Sequence, residues 1–123
     1  MSYSAFREGG IVPIEAGVAL TQGQLVKISG STVIVCTASD FPFGVATEAF
    51  AAGEIASIAT PAVNGTVLLE ASAAIALGAN VKTAAAGRVT SATTGKIVAV
   101  ALEAATAAGD RFEAALLTPL TVA

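Results

Sequence analysis

The sequence predicts an all-β fold, a small β-barrel or sandwich of many short strands with one or two short helical turns. Two observations carry this prediction. Short runs rich in β-branched residues follow one another along the chain after residue 10, and such residues favour the pleated surface of a strand. Gly, Pro, Asn or Asp separates most of these runs, at intervals of about ten residues, which is the turn spacing of sandwiches and barrels.

The composition predicts a thin hydrophobic core. The chain has 123 residues and a mass of 12.0 kDa, enough for one domain. Apolar residues make up 54% of it but aromatic residues only 5%, and alanine, with 29 residues, fills the difference. Because burial energy scales with apolar area, we expect closely packed β structure or a subunit that shares its core with partners.

The predicted organisation is an N-terminal arm at residues 1–13 followed by one β domain at residues 14–123. The first ten residues are polar, end in two glycines and contain two of the six aromatic residues, Tyr3 and Phe6, beside Arg7. A terminal segment that keeps aromatic side chains can dock on a partner. It can equally be a disordered terminus, and both interpretations stay open at this point.

Ten strands are predicted in order along the β domain. They lie at residues 11–14, 25–29, 32–37, 43–47, 54–59, 66–70, 80–83, 88–91, 96–103 and 111–118. The best single turn signal is Asn64-Gly65, between the fifth and sixth strands, because both residue types tolerate positive φ.

Three alanine-rich stretches interrupt the strand pattern. Residues 48–52, 71–77 and 103–108 have helix-forming composition, but they are too short to be stable helices alone. We therefore expect one-turn connectors, with residues 71–77 the best candidate for a real helical turn.

A loop with two phenylalanines precedes the fourth predicted strand. Its sequence is Asp40-Phe-Pro-Phe-Gly44. Phe41, Pro42 and Phe43 could fold back over the core, or they could form an exposed apolar anchor for a partner. Together with the arm, this loop is the best candidate for an interface.

An internal repeat relates the two halves of the chain. With a shift of 55 residues, Gly23-Gln-Leu-Val-Lys27 falls on Gly78-Ala-Asn-Val-Lys82, and Gly44-Val-Ala-Thr-Glu-Ala49 falls on Ala99-Val-Ala-Leu-Glu-Ala104. An Ala-rich connector, a glycine, an acidic residue and another strand follow each copy. The alternative to a duplication is coincidence in a sequence of low complexity.

The repeat predicts two similar β units, at about residues 14–66 and 67–123, packed about a pseudo-twofold axis. Glu48 and Glu103 occupy equivalent positions after the Val-Ala strand. A carboxylate there can accept hydrogen bonds from backbone N–H groups of the next turn, so we expect a structural role for both.

The chain lacks the residues that most kinds of catalytic and cofactor chemistry require. The chain has no His, which excludes imidazole catalysis and His metal ligands, and Cys36 is its only cysteine. We interpret Cys36 as a small buried hydrophobe. No glycine-rich phosphate loop is present, and the net charge of −3 argues against nucleic acid. We expect no catalytic residues, no cofactor and no metal.

The sequence predicts neither a membrane span nor a secretory leader. No apolar run approaches the roughly 18 residues of a membrane span, and the first residues lack a basic-then-apolar layout. The expected location is a reducing cytoplasm, or a particle assembled there.

Three segments carry a family resemblance. They are Ala76-Leu-Gly78-Ala-Asn-Val81-Lys, Gly87-Arg-Val89-Thr, and the run from Ile97 through Gly109-Asp110 to Leu117. This cadence of Gly, Val and Ala resembles that of small capsid decoration (cement) proteins of tailed bacteriophages. The resemblance covers roughly residues 14–117. Ala99 stands where the family usually has Gly.

The resemblance implies an all-β protein on the outer face of a phage head, made in the host cytoplasm. Such a protein bridges neighbouring major capsid proteins and stabilises the shell. It also implies self-association, with a homotrimer favoured and a dimer or monomer open, and no nucleic-acid or membrane partner. The residues expected to contact the capsid or a neighbouring subunit are Tyr3, Phe6, Arg7, Phe41, Pro42 and Phe43.

Three other functions remain as alternatives. One is another virion structural part, such as a head fibre base or a tail component. A small-molecule-binding β module, for example a carbohydrate-binding barrel, would need aromatic platforms to stack sugar rings, and the chain has no Trp and one Tyr. An enzyme fits least, and we expect none.

Overall fold

The computed structural model describes residues 10–38, 40–63 and 65–122, and its regular secondary structure is almost entirely β-strand. They form two five-stranded antiparallel sheets, which confirms the predicted all-β class as a small β-sandwich. The hairpin between the second and third strands turns at Gly30, whose φ of 61° suits a two-residue turn. In chain order the strands are β1 (Ile11–Glu15), β2 (Leu25–Ser29), β3 (Thr32–Val35), β4 (Gly44–Ala46), β5 (Ile55–Ala59), β6 (Val67–Glu70), β7 (Asn80–Thr83), β8 (Val89–Ser91), β9 (Gly95–Ala101) and β10 (Arg111–Val122).

The two sheets share one topology. The first sheet has the order β1-β5-β4-β2-β3, and the second has the order β6-β10-β9-β7-β8, so that adding five to each strand number converts one into the other. The isolated bridges repeat as well: the parallel bridge of Ala16 with Val33 recurs between Ala71 and Val89. The duplication itself, and its boundary between residues 66 and 67, stays a prediction.

The observed elements differ from the predicted ones in their helical turns. The strand predicted at residues 11–14 is found as β1, so residues 11–13, which were also assigned to the arm, pair with β5. Residues 71–77 contain no helical turn, because Ala71 and Ile75 form bridges to other strands and are buried there. A 3-10 turn lies instead at Ala85–Gly87, where Ala86 adopts a φ of 60°.

The hydrophobic core has two parts. The smaller part belongs to the first sheet and its connections, and includes Leu20, Val26, Val33 and Ile58. The larger part is built mainly from the second sheet around Phe112, but the first sheet contributes three buried side chains to it, which are Leu25, Cys36 and Val45. The two sheets therefore pack against each other through shared core side chains.

In two backbone hydrogen bonds between the halves, the second half donates and the first half accepts. The N–H of Glu70 donates to the carbonyl of Gly23 at 3.2 Å, and the N–H of Gly87 donates to the carbonyl of Cys36 at 3.0 Å. A twofold relation would repeat the first contact between Glu15 and Gly78. A Cβ at Gly78 would have nothing within 4 Å, whereas at Gly23 it would meet the backbone of β6 at 3.1 Å. These contacts are one-sided, which contradicts the expected pseudo-twofold packing of the halves.

Candidate interaction surface

The loop that precedes β4 is held by a small polar network. The backbone N–H and the hydroxyl of Thr37 donate to Oδ2 of Asp40 at 2.8 and 2.9 Å. The ammonium of Lys27, on β2, lies 2.9 Å from the same oxygen. Hydrogen bonds from Thr37 and from Lys27 lower the pKa of Asp40 from 3.8 to about 2. This charged anchor fixes the start of the loop against the first sheet.

The three apolar residues of the loop point in different directions. Pro42 is buried, and Phe43 is half-buried against the core of the first sheet, where its N–H donates to the carbonyl of Val26 at 2.8 Å. Phe41 remains 42% exposed. Both interpretations of the loop thus have a residue: Phe43 folds back over the core, and Phe41 presents an aromatic ring at the surface.

The other three residues assigned to the interface, Tyr3, Phe6 and Arg7, lie outside the described residues. The described chain begins at Gly10, whose carbonyl accepts hydrogen bonds from the N–H and the hydroxyl of Thr60 at 3.0 and 2.8 Å. These contacts hold the base of the arm beside the end of β5.

Exposed aliphatic residues form a second feature, which the choice of interface residues missed. Leu77 is 68% exposed, Ile55 is 63% exposed and Leu102 is 42% exposed. In the repeat, Leu77 and Leu102 align with Gln22 and Thr47. The sequence therefore marks these two leucines, because apolar residues replace polar ones at two aligned positions of the repeat.

A groove marks the place where Gln22 and Thr47 lie. It encloses about 200 Å³ between the first sheet and the start of β6, and its walls include Ile11, Val63 and Leu68. The amide of Gln22 donates to the carbonyl of Thr47 at 3.3 Å across one side. The groove lies at the junction of the two halves of one chain.

The acidic side chains nearby serve the backbone. Oε1 of Glu103 accepts a hydrogen bond from the N–H of Glu113 at 2.7 Å. Glu103 therefore accepts from the backbone, as predicted, but the donor lies on β10 and not in the next turn. Glu54 accepts from the N–H of Ala51 at 2.6 Å, and Asp110 accepts from the N–H groups of Thr106 and Ala107. These carboxylates fix turns.

Two further observations concern reactive and metal-binding side chains among the described residues. Cys36 is buried, and burial raises the pKa of its thiol to about 12, so its nucleophilic thiolate form is suppressed. Within residues 10–38, 40–63 and 65–122, no three His, Cys, Asp or Glu side chains gather as a potential metal site.

No helix in the described part of the chain is long and apolar enough to cross a membrane.

Comparisons with known proteins find a matching family model and a solved structure of similar fold. The family model for phage cement proteins matches residues 6–116. The structure is similar to the crystal structure of the head fibre gp8.5 N base in bacteriophage phi29, with a TM-score of 0.73 and 15% identity, over 88% of this chain and 92% of that one. A search of curated proteins finds no match.

Proposed function

The chain belongs to the phage cement protein family and is a capsid decoration protein, and from this premise we propose that it binds the outer surface of the phage head and bridges neighbouring major capsid proteins as a homotrimer. The observation that carries the proposal is the match of the family model to residues 6–116, nearly the whole chain. The role is structural and involves no enzymatic step, and the proposed partners are the major capsid protein and further copies of this chain.

The physics of a repetitive lattice suits a subunit with this composition. Each bound copy links two capsid proteins, so separating them also requires that the copy be released. Many weak links act together, and a modest affinity per copy is enough. A net charge of −3 and 12% charged residues leave most of the surface to neutral contacts.

The proposed contacts to the capsid or to neighbouring subunits are the arm, with Tyr3, Phe6 and Arg7, and the loop, in which Phe41 is the contact residue and Pro42 and Phe43 support it. The loop offers a preorganised anchor. Pro42 and Phe43 are packed inward and Asp40 is pinned by Lys27, so placing Phe41 against a partner orders little additional chain. An exposed aromatic ring on a rigid support is the kind of residue that carries binding energy at an interface.

Sedimentation with undecorated expanded capsids tests the loop. Phe41→Ala should lower the amount that co-sediments, because the ring is the exposed part of the loop. Val18→Ala is the matched control: it removes an apolar side chain that is 39% exposed, close to the 42% of Phe41. Equal capsid binding by both variants would contradict the role assigned to Phe41.

The same assay tests the arm. Deletion of residues 2–9 should weaken attachment while leaving the β-sandwich folded, because β1 begins at Ile11. A truncated chain that decorates capsids as well as the full chain would show that Tyr3, Phe6 and Arg7 are not contact residues.

A head fibre base is the second candidate, favoured by the similarity in fold to the phi29 head fibre base. Stoichiometry separates the two functions. A cement protein co-purifies with capsids in hundreds of copies, whereas a fibre base is present in far fewer.

A further inference from the structure

We propose that β1 and the start of β5 of one copy dock on the face around Leu77, Gly78 and Leu102 of another copy. This docking repeats between chains the contact that the second half makes on the first half within the chain. The inference rests on the proposed self-association and assigns the residues that mediate it.

The template is the junction inside the chain. There β6 lies along Gly23, with its Glu70 N–H bonded to the Gly23 carbonyl. Arg111, at the start of β10, donates from Nε to the carbonyl of Gln22 at 2.8 Å. On the first half, the docking face is thus the turn at Gln22 and Gly23 with the neighbouring Thr47.

The second half carries an equivalent face, and among the described residues none covers its glycine turn. The N–H of Gly23 donates to the carbonyl of Ala46 at 3.0 Å, and the N–H of Gly78 donates to the carbonyl of Ala101 at 2.8 Å, so the two turns occupy equivalent places. Around Gly78 a Cβ would meet nothing within 4 Å.

The side chains at this face differ from those of the template in one respect. Gln22 and Thr47 are replaced by Leu77 and Leu102, which are exposed in the single chain. Exposed leucines on an uncovered face indicate a surface that is buried in an assembly.

The first half carries the strand that would donate the equivalent backbone hydrogen bond. Strand register makes β1 and the start of β5 equivalent to β6 and the start of β10: Glu15 pairs with Ile55 as Glu70 pairs with Arg111. The N–H of Ala16 donates a hydrogen bond to the carbonyl of Glu54, just before β5, at 2.8 Å. Because N–H groups alternate in direction along a strand, the N–H of Glu15 points away from β5, as the N–H of Glu70 does from β10.

Two further features of β1 fit a short docking contact. Pro13, the residue whose N–H would also point outward, has none, which prevents a longer ladder on this edge. Ile55 stands where the template has Arg111, and it would therefore lie against the Leu77 turn of the other copy. The two most exposed large aliphatic side chains of the described residues, Leu77 and Ile55, thus meet across this contact.

The geometry selects a second copy as the occupant because each chain displays both the face and its complement. A contact between two different patches is heterologous, and it closes into a ring if the rotation between copies allows. Closure after three copies gives the homotrimer as a ring of six similar units.

Mass measurement in solution, without capsids, tests the proposal. The wild-type chain should have three times the 12.0 kDa chain mass. Leu77→Lys and Ile55→Lys should each reduce it to one chain mass, and Leu77→Lys combined with Ile55→Glu should restore the oligomer through a new ion pair. Ile28→Lys is the matched control, since Ile28 is 53% exposed and lies on β2, which belongs to neither proposed surface, and it should leave the mass unchanged.

Three results would overturn the proposal. One is a wild-type chain that stays a monomer at all concentrations. Another is an oligomer that survives Leu77→Lys or Ile55→Lys in a folded variant, as checked by circular dichroism. The third is loss of the oligomer on deletion of residues 2–9, which would identify the arm as the occupant. A monomer that still decorates capsids would remove this inference and leave the capsid-binding function standing.

Discussion

Replacing Gly87 by alanine tests how closely the two halves of the sandwich approach each other. Gly87 has a φ of 69°, and a Cβ there would lie 2.8 Å from the carbonyl oxygen of Leu25 and 3.0 Å from a methyl group of Val35. The same residue donates its N–H to Cys36. A Cβ cannot be accommodated at 2.8 Å from a backbone atom, so the two halves would have to separate.

The expected cost has two parts. The left-handed backbone conformation costs a residue with a Cβ about 1–2 kcal/mol, and forcing an extra carbon into a packed contact costs about 1–3 kcal/mol. Gly87→Ala should therefore lose about 2–5 kcal/mol of unfolding free energy. Gly109→Ala is the matched control: its φ is 90°, but nothing lies within 4 Å of the new Cβ, so it should lose only about 1–2 kcal/mol.

Urea denaturation followed by far-ultraviolet circular dichroism measures both losses. Protein concentration is held fixed, because self-association adds to apparent stability. If Gly87→Ala loses no more free energy than Gly109→Ala, then the halves do not meet at Gly87 as closely as described.

Three further predictions concern the core, the turns and the thiol. Phe112→Ala should cost about 3–5 kcal/mol of unfolding free energy, since Phe112 is fully buried; a loss below about 1 kcal/mol in urea denaturation would contradict its central place in the core. The pKa of Asp40 is lowered to about 2, and hydrogen bonds from Thr106 and Ala107 lower the pKa of Asp110 as well. Both carboxylates therefore stabilise the fold above about pH 4, and thermal stability should fall as the pH drops from about 4 to about 2. Asn variants of both should flatten that fall, and an unchanged pH profile would argue against these bonds. Cys36 should react with a thiol reagent at pH 8 only after unfolding, and fast labelling of the folded protein would contradict its burial.

The fold class and the strands were predictable because local signals carried them. Each of the ten predicted strands has its counterpart, since β-branched runs and turn residues act over a few neighbouring positions. The exception is instructive: residues 71–77 have helical composition, but Ala71 and Ile75 are held in bridges to Val89 and Ala105. Tertiary pairing outweighs a weak local propensity.

The arrangement of the halves was less predictable, because a repeat indicates similarity of units and leaves their packing open. It takes tertiary contacts, such as those at Gly23 and Gly87, to show that the halves are not related by a twofold. The same limit applies to the interaction surface. Aromatic residues drew attention to Phe41, whereas Leu77 and Ile55 stand out only when exposure and repeat position are considered together.

Cryo-electron microscopy of undecorated expanded capsids mixed with the purified protein tests the central claim most directly. We expect density at regular positions on the outer face, in hundreds of copies, with each copy or trimer touching at least two major capsid proteins. Folded protein that leaves the outer lattice bare, or that appears at only a few special positions, would contradict the cement function proposed for this surface.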